Sequence, residues 1–336
     1  MLLRVGRRRG RGALGAVLAV LALAVTSCSN RVDAGGADPG AASGQVADHQ
    51  LSFAVVSHGS AGDPFWTVVK NGAKQAGKDL DVHVSYQGSG APQTQAQLID
   101  AAVNQHVDGL IVSMANPDAL KSSILRAEHA GIPVVTINSG QSESKKFGAL
   151  THVGQDETVA GRGAGARLRT SGVRHVLCVI HEAGNIALEQ RCQGAKKGLG
   201  PGATLQTLQV DVNNLQNAQS TIQAKLSADP DIDGVLTLNP AVGTVAVTAR
   251  DGADSKAKIA TFDVSDEVTS AIRKGRILFA VDQQPYLQGY LPVQFLTLYA
   301  NNANTVGGGE PVLTGPGFVT KQNAARVAKL AKRGTR

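Results

Sequence analysis

Residues 109–138 read GLIVSMANPDALKSSILRAEHAGIPVVTIN and contain one complete strand–helix–strand unit. The unit begins with the apolar run Gly109–Ser113 and ends with a second one, Pro133–Asn138. Nearly continuous Val, Ile and Leu are typical of parallel strands that are buried on both faces. The amphipathic segment Pro117–Ala130 lies between them, so the unit predicts two parallel strands joined by a right-handed helical crossover.

The same alternation extends along the chain from Leu51. Short apolar runs predict strands at Leu51–Ser57, Val82–Tyr86, Gly109–Ser113, Pro133–Asn138, His175–Ile180, Gly234–Thr237, Ile259–Phe262 and Ile277–Val281. Amphipathic segments predict helices at Pro64–Leu80, Thr94–Gln105, Pro117–Ala130, Glu157–Thr170, Ala187–Leu199, Gln216–Ala228 and Val242–Arg250. This alternation predicts an α/β protein with helices on both faces of parallel sheets. The roughly 270 residues that follow the N-terminal segment are more than one hydrophobic core usually contains, so we expect two lobes.

Composition and charge exclude several classes of protein. The 336 residues are 42% hydrophobic, which excludes a disordered chain, and the 39 glycines have no triplet period, which excludes collagen. The net charge is +7, but five arginines lie in residues 1–27 and six cations lie in residues 321–336. Without these eleven cations the body carries −4, and we expect no nucleic-acid partner.

The N-terminal residues predict export. An arginine-rich start precedes an apolar run at residues 13–25, which is the order of a secretory signal and is too short to span a bilayer of about 30 Å. The run ends in Val25-Thr26-Ser27-Cys28, which resembles a bacterial lipobox; an ordinary cleavage site with a chance cysteine is the alternative. We therefore expect an extracytoplasmic body, anchored to the cell membrane by a lipid on Cys28 through a small, polar tether.

Two further cysteines lie in the body of the chain. Cys178 falls in a predicted strand and Cys192 in the helix that follows it. An extracytoplasmic location permits a disulfide between them. Two small buried thiols are the alternative, and the sequence leaves both possibilities open.

An aromatic pair follows the first predicted strand. Asp63 before Pro64 has the form of a helix N-cap with proline at the first helical position, and Phe65 and Trp66 come next. Aromatic faces stack on the C–H faces of sugars and polyols, and a nearby carboxylate accepts hydrogen bonds from their hydroxyls. The alternative is that both rings belong to the core under the first helix.

Polar side chains recur after the other predicted strands. They are Ser113, Asn138, Ser139, Gln155, Asp156, Asn185, Asn239, Asp263 and Gln283. Each alone is typical of a loop or a helix cap, but in an open α/β sheet the ligand lies at the carboxyl ends of the strands. Amides and carboxylates without a cluster of Lys or Arg favour vicinal hydroxyls over phosphate. The set therefore predicts a site for a small neutral sugar or polyol.

Motifs for other chemistry are absent from the sequence. Residues 161–165 lack dinucleotide-binding spacing, and residues 194–198 do not form a P-loop. The histidines do not pair with carboxylates at the spacing of metal ligands, and the body has no Gly-x-Ser-x-Gly motif. We expect no metal and no cofactor.

Seven stretches together carry a resemblance to a known family. They are Asp63–Trp66, Asp108–Val112, Ala130–Val135, Val153–Asp156 with Ala160-Gly161, Arg191–Gly194, Thr261–Asp263 and Gln283–Gly289. In this order they resemble the ribose- and galactose-type periplasmic substrate-binding proteins of bacterial ABC importers. The resemblance covers about residues 51–319 and implies a non-enzymatic, monomeric solute receptor that delivers its ligand to a membrane permease.

The resemblance also implies two Rossmann-like, doubly wound lobes joined by a hinge, the type I periplasmic binding protein fold. We expect the following division: signal peptide 1–27, tether 28–48, N-terminal lobe 49–153 with 284–308, C-terminal lobe 154–283 with 309–320, and basic tail 321–336.

Site residues implied by the resemblance can be named by position. Phe65 and Trp66 would stack on the two sides of a ring. Hydrogen bonds to hydroxyls would come from Asp63, Ser113, Asn138, Asn239, Asp263 and Gln283. The sequence departs from the ribose-type pattern at Asn138-Ser139, where Asp-Arg is usual, and at Glu189, where an arginine is common. These departures argue against ribose and leave another aldose, a cyclitol or an open-chain polyol.

Three other functions compete with the importer. A sugar sensor that presents its ligand to a membrane receptor would share the whole sequence pattern. A transcription regulator would need an N-terminal helix-turn-helix, where this chain has a lipobox-like segment. A secreted carbohydrate-active enzyme would use paired carboxylates such as Asp63 and Asp263.

Overall fold

The computed structural model describes residues 49–60 and 62–336, which form two α/β lobes. The strands are β1 (Ser52–Ser57), β2 (His83–Gly88), β3 (Gly109–Ser113), β4 (Val134–Ile137), β5 (Thr151–Gly154), β6 (His175–Ile180), β7 (Thr204–Gln209), β8 (Gly234–Thr237), β9 (Lys258–Phe262), β10 (Phe279–Asp282), β11 (Val312–Leu313) and β12 (Gly317–Thr320). The helices are α1 (Pro64–Asp79), α2 (Pro92–Asn104), α3 (Pro117–His129), α4 (Gln141–Ser144), α5 (Glu157–Thr170), α6 (Ile186–Leu199), α7 (Leu215–Ala228), α8 (Pro240–Gly252), α9 (Asp266–Arg273), α10 (Pro285–Asn302) and α11 (Ala324–Ala331). The predicted signal peptide, tether and lipidated Cys28 lie outside the described residues.

Each lobe is built on one six-stranded sheet. The first sheet has the order β11-β5-β4-β3-β1-β2 and is parallel throughout. The second has the order β12-β10-β9-β8-β6-β7, in which only β12 runs antiparallel. The predicted α/β class with two doubly wound lobes is confirmed. Apolar clusters lie on both faces of each sheet, because the central strands are buried on both sides.

The two lobes repeat one topology. Strands β1–β5 are arranged 2-1-3-4-5, and strands β6–β10 repeat that order. In such sheets the ligand lies beyond the carboxyl ends of the strands, next to the point where strand order reverses. Residues at the same place in the two halves therefore face a common region.

Helices α5 and α6 of the second lobe approach each other through glycine. A Cβ atom at Gly161 would lie 2.1 Å from the Arg191 carbonyl oxygen, and one at Gly198 would lie 2.1 Å from the Arg162 carbonyl oxygen. Only glycine permits backbones this close. These two glycines therefore permit the close packing of α5 against α6.

Three segments connect the lobes. They are the β5–α5 turn at residues 155–156, the β10–α10 turn at residues 283–284, and residues 314–316 between β11 and β12. Thr314 ties two of them together, because its amide donates to the Gly154 carbonyl at 2.6 Å and its hydroxyl donates to the Gln283 carbonyl at 2.7 Å. These bonded crossings form the hinge.

The C-terminal residues differ from the expected division. We expected residues 309–320 in the C-terminal lobe, but β11 pairs with β5 in the first sheet, and only β12 joins the second sheet. Residues 321–336 were expected to form a basic tail. Instead α11 buries Ala324 and Val327 against the second lobe, because its apolar residues fall on one face, and Arg336 pairs with buried Asp282 at the hinge.

Several elements have no clear sequence signal. Strand β7 is an edge strand whose Thr and Gln residues are mostly exposed, so it presents no apolar run. Strand β5 has only four residues and includes the polar His152. Helix α10 has Pro292 in its interior and apolar residues on most sides, so it lacks an amphipathic stripe. Within the described residues, no helix has both the length and the hydropathy that a membrane span requires.

Candidate functional site

The candidate site is a cavity of about 30 Å³ between the carboxyl ends of the two sheets. Both lobes and the hinge contribute to its walls. The lining residues are His58, Asp63, Phe65, Trp66, Asn138, His181, Glu182, Asn185, Ala187, Leu188, Arg191, Leu238, Asn239, Asp263 and Gln283. We call this the inner cavity.

The aromatic wall comes from the turn that starts α1. Asp63 caps the helix by accepting a hydrogen bond from the Phe65 amide at 2.8 Å, which fixes Phe65 and Trp66 in the first turn. The two rings are perpendicular with centroids 5.0 Å apart, and the His58 ring meets Trp66 edge-on at 4.7 Å. Phe65 and Trp66 therefore do not lie on two sides of a ring, because a sandwiched ring needs about 3.5–4 Å on each face.

Direct hydrogen bonds join the lobes around the inner cavity. The Asn239 amide of the second lobe donates to Asp63 Oδ2 of the first at 3.3 Å. The Asn138 amide of the first lobe donates to the hinge residue Gln283, at Oε1, over 3.0 Å. The Asn185 amide lies 3.4 Å from His58 Nε2, also across the cleft. These are polar groups that bond to one another where a hydroxylated ligand would lie.

Two of the polar residues have the same unusual backbone in equivalent places. Asn138 follows β4 with φ of 62°, and Asp263 follows β9 with φ of 65°. Side chains other than glycine rarely adopt this left-handed region, and Asn and Asp tolerate it best. The conformation turns both side chains into the cavity, where Gln283 bonds to both: it accepts from Asn138 and donates to Asp263 Oδ1 at 2.9 Å.

Two of the carboxyl groups that line the inner cavity, those of Asp63 and Asp263, have raised pKa values. Burial raises the pKa of Asp63 to about 6. The hydrogen bond from the Phe65 backbone amide acts in the opposite direction, because it favours the ionised form. Burial also raises the pKa of Asp263 to about 7, although nearby Arg191 opposes the change. Near neutral pH each carboxyl can therefore accept a hydrogen bond and, when protonated, donate one, which suits a hydroxyl group.

The cation in the wall is already neutralised. Arg191 Nε and Nη2 donate to the two carboxylate oxygens of Glu157 at 2.6 and 2.8 Å, and both side chains are 4% exposed. The guanidinium also lies over the Phe262 ring, 4.7 Å from its centroid. Because its charge is paired, Arg191 provides directional donors without making the cavity a phosphate site.

The histidines of the cavity are neutral. Burial lowers the pKa of His58 to about 3 and that of His181 to about 4. His58 Nδ1 lies 2.8 Å from Ser113 Oγ, while His181 Nδ1 has no hydrogen-bond partner among the described residues. Neither ring therefore brings positive charge to the cavity near neutral pH.

Some of the residues expected at the site line the inner cavity, and the others do not. Those that line the cavity are Asp63, Phe65, Trp66, Asn138, Asn185, Asn239, Asp263 and Gln283. The others lie behind it: Ser113 bonds His58, Ser139 bonds Asn185, Gln155 bonds Glu157, and Asp156 caps α5. Glu189 lies on an exposed face of α6 outside the lining, because Leu188 and Arg191 occupy the face of that helix which turns inward.

Further lining residues were not expected from the sequence. They include His58, His181 and Arg191. The repeat of the two halves provides a signal for two of them, because His58 follows β1 and His181 follows β6. Comparing equivalent post-strand positions would have identified this pair.

A disulfide lies behind the second-lobe wall. Cys178 of β6 and Cys192 of α6 are joined, with an S–S distance of 2.04 Å. It connects the strand that precedes His181 to the helix that carries Leu188 and Arg191. The bond therefore fixes these wall residues relative to the sheet.

The described residues contain no group of three or more His, Cys, Asp or Glu side chains arranged to hold a metal ion. The cavity presents amides, carboxyl groups and neutral histidines as hydrogen-bonding groups, together with one aromatic wall. Such a set can bind and orient a hydroxylated molecule.

Comparisons with known proteins agree with this geometry. The family model of the periplasmic binding protein domain matches residues 53–304. A carbohydrate transporter from Acidothermus cellulolyticus, solved in complex with myo-inositol, is 44% identical, with a TM-score of 0.83 over 86% of this chain and 100% of that chain.

Curated relatives are more distant. The xylose/arabinose-binding protein XylF of Sulfolobus acidocaldarius is 26% identical over 85% of this chain and 75% of its own length. The ribose import binding protein RbsB of Haemophilus influenzae is 23% identical over 72% of this chain and 87% of its own length. These relatives are binding proteins rather than enzymes.

Proposed function

Because the chain belongs to the periplasmic binding protein family, we propose that it is the solute receptor of an ABC importer. In this proposal it binds one neutral cyclitol, monosaccharide or polyol between its two lobes, works as a monomer, and delivers the ligand to a permease. The observation that carries the proposal is the convergence of hydrogen-bonding side chains from both lobes on one cavity with an aromatic wall, whose one arginine is paired with Glu157.

Ligand binding would replace the bonds that now join the lobes. A cavity of about 30 Å³ is far below the roughly 300 Å³ or more typical of small-molecule pockets. The lobes must therefore separate slightly, and Asp63, Asn239, Asn138 and Gln283 would exchange their mutual bonds for bonds to ligand hydroxyls. The ligand's additional contacts with both lobes would then favour the closed form, which is how a receptor signals occupancy to its partner.

The aromatic wall would provide the apolar part of recognition. Trp66 presents a buried ring beside Phe65 and His58, and apolar Leu188 and Leu238 line the cavity from the second lobe. A pyranose or inositol ring has C–H faces that match this arrangement. An acyclic or charged metabolite would use it less well.

Similar proteins support a cyclitol or aldose. The 44% identical carbohydrate transporter was solved with myo-inositol, and the more distant relatives are named for xylose, arabinose and ribose. Asn138, which lines the inner cavity, stands where ribose-type sequences usually have an aspartate. We therefore place myo-inositol and related ring polyols first among candidate ligands.

The extracytoplasmic location fits the family and the N-terminal sequence. We propose that residues 1–27 are removed on export and that Cys28 carries the lipid that holds the protein at the membrane. Labelling with a lipid precursor tests this directly: incorporation into the wild type and its loss in Cys28→Ala is expected, whereas equal labelling of both would contradict the anchor.

A thermal-shift panel tests the ligand class. Purified protein is heated with myo-inositol, scyllo-inositol, D-xylose, L-arabinose, D-ribose, xylitol and the phosphate esters of inositol and ribose. A ligand that binds only the folded state raises the melting temperature. At a concentration 100 times its dissociation constant, it adds about 2.7 kcal/mol to the free energy of unfolding. We expect shifts from neutral ring polyols and none from phosphate esters. Shifts from the esters alone, or from no member, would contradict the proposal.

A further inference from the structure

A second, larger cavity lies in the cleft next to the inner one. It measures about 530 Å³ and is lined by both lobes, from the β1 and β3 turns on one side to the β7–α7 loop on the other. It shares His58, His181, Glu182 and Asn185 with the inner cavity. We call it the outer cavity, and these four shared residues form the passage between the two.

The wall of the outer cavity has the same chemical character as the site. Its polar groups are mostly amides and carboxylates, among them Asn116, Asn213, Asn217 and Asp211, and no Lys or Arg lines it. Val212 and Pro92 contribute apolar surface. Such a wall would repel a phosphate or carboxylate substituent and would accept hydroxyls together with a C–H face.

Asn116 stands out within this wall. It occupies the N-cap position of α3, equivalent to Asn239 before α8 in the other half. Asn239 accepts capping bonds from the Ala241 and Val242 amides, but the Asn116 side chain makes no capping bond. Its amide instead lines the outer cavity, with Oδ1 next to Gly184 of the opposite lobe. Because the Asn116 side chain makes no capping bond, its oxygen and amide group are available to bind another partner.

The passage also contains an unused polar atom. His181 is 7% exposed, and its Nδ1 has no hydrogen-bond partner among the described residues. Buried polar groups without a partner are rare in folded proteins. A ligand that extends from the inner to the outer cavity would pass this ring.

We infer that the natural ligand carries a second hydroxylated unit, so that its first ring occupies the inner cavity and a glycosidically linked ring occupies the outer one. The ligand class is then a neutral glycoside, such as a glycosylated cyclitol or a disaccharide. This inference rests on the proposed function, since it extends the same site.

Calorimetric titration of paired ligands tests the inference. The pairs are myo-inositol with galactinol, its α-galactoside; D-xylose with xylobiose; and L-arabinose with arabinobiose. We expect at least one two-unit ligand to bind ten times more tightly than its own single unit. The variant Ala183→Trp fills the outer cavity from an exposed loop position and should abolish this gain without weakening the single unit. Ala130→Trp, exposed at the far end of α3, is the matched control and should preserve the gain.

The outcomes separate the two claims. If single units bind but no two-unit ligand binds more tightly, or if Ala183→Trp leaves the gain intact, the inference is overturned and the proposed function stands. If neither single nor two-unit ligands bind, the proposed function itself fails, and the inference fails with it.

Discussion

The Asn239 side chain donates a hydrogen bond to Asp63 Oδ2 across the cleft at 3.3 Å, and each of these residues also caps a helix of its own lobe. The pair therefore connects the start of α1 directly to the start of α8. Because both side chains are held by capping bonds, their separation reports the distance between the lobes.

Asn239→Asp should open the cleft above pH 7. The aspartate keeps the cap of α8 but faces Asp63, whose pKa is raised by burial to about 6 and which is ionised at higher pH. Two facing carboxylates repel, so X-ray scattering at pH 8 should show a larger radius of gyration than for the wild type. Asn239→Ser, which also caps α8 but adds no charge, is the control. Equal radii for the two variants at pH 8 would contradict a role for this contact in closure.

Asp263→Asn should change how stability depends on pH. Burial raises the pKa of Asp263 to about 7, above its ordinary value of about 3.9. Between these values the folded protein holds a proton that the unfolded chain releases, so this group stabilises the fold at low pH and loses that effect as pH rises towards 7. The variant lacks this titration. Its melting temperature relative to wild type should therefore be higher at pH 8 than at pH 5.

The buried histidines change the stability with pH in the opposite direction to Asp263. The variant must therefore be compared with the wild type at each pH. Burial lowers the pKa values of His58, His152 and His181, so each removes stability as pH falls below its ordinary value of about 6.5. They titrate in both proteins and cancel in the difference. A difference in melting temperature that stays constant from pH 5 to pH 8 would show that Asp263 is not perturbed.

Arg191→Ala should destabilise the second lobe strongly. The substitution removes the two guanidinium donors of the buried Glu157 carboxylate and leaves its charge unpaired, with only the Gln155 amide still bonded to it, which typically costs about 3–5 kcal/mol. The double variant Arg191→Ala/Glu157→Ala should be less destabilised than the sum of the single variants, because no unpaired charge remains. Urea unfolding provides the three free energies, and strict additivity would count against a coupled pair.

Removal of the disulfide should lower the stability of the second lobe. Cys178 and Cys192 are 14 residues apart, and closing a loop of this size in the unfolded chain typically stabilises the fold by about 3 kcal/mol. The double variant Cys178→Ala/Cys192→Ala should lose stability of this order in urea unfolding. Reduced wild-type protein is the control and should approach the variant; a reductant without effect would mean that the two sulfurs are not bonded in solution.

The sequence predicts the architecture better than it predicts the wall of the site. Strand–helix alternation and buried Val, Ile and Leu runs are local signals, and they led to the correct fold class. The post-strand rule identified Asn138, Asn239 and Asp263 because their positions follow directly from topology. It could not say that Gln155 turns away to bond Glu157, since that depends on the Arg191 pair contributed by another helix.

Longer-range pairing accounts for the remaining differences. The rings of Phe65 and Trp66 contact each other edge to face at the start of α1, an arrangement that no family pattern specifies. The placement of β11 in the first sheet depends on a third crossing of the hinge, and only two residues form that strand. Short elements with non-local partners leave little trace in sequence.

Titration of Trp66 fluorescence with ring polyols tests the central claim most directly. Trp66 is the only tryptophan of the chain and lines the inner cavity against Phe65 and His58. A neutral ring polyol that binds between the lobes should change its emission with a saturable, one-site dependence on concentration. Asp263→Ala should weaken that binding at least tenfold, the equivalent of about 1.4 kcal/mol. We predict such a curve for myo-inositol or a related sugar; unchanged emission across the whole neutral panel up to millimolar concentration would contradict binding between the lobes.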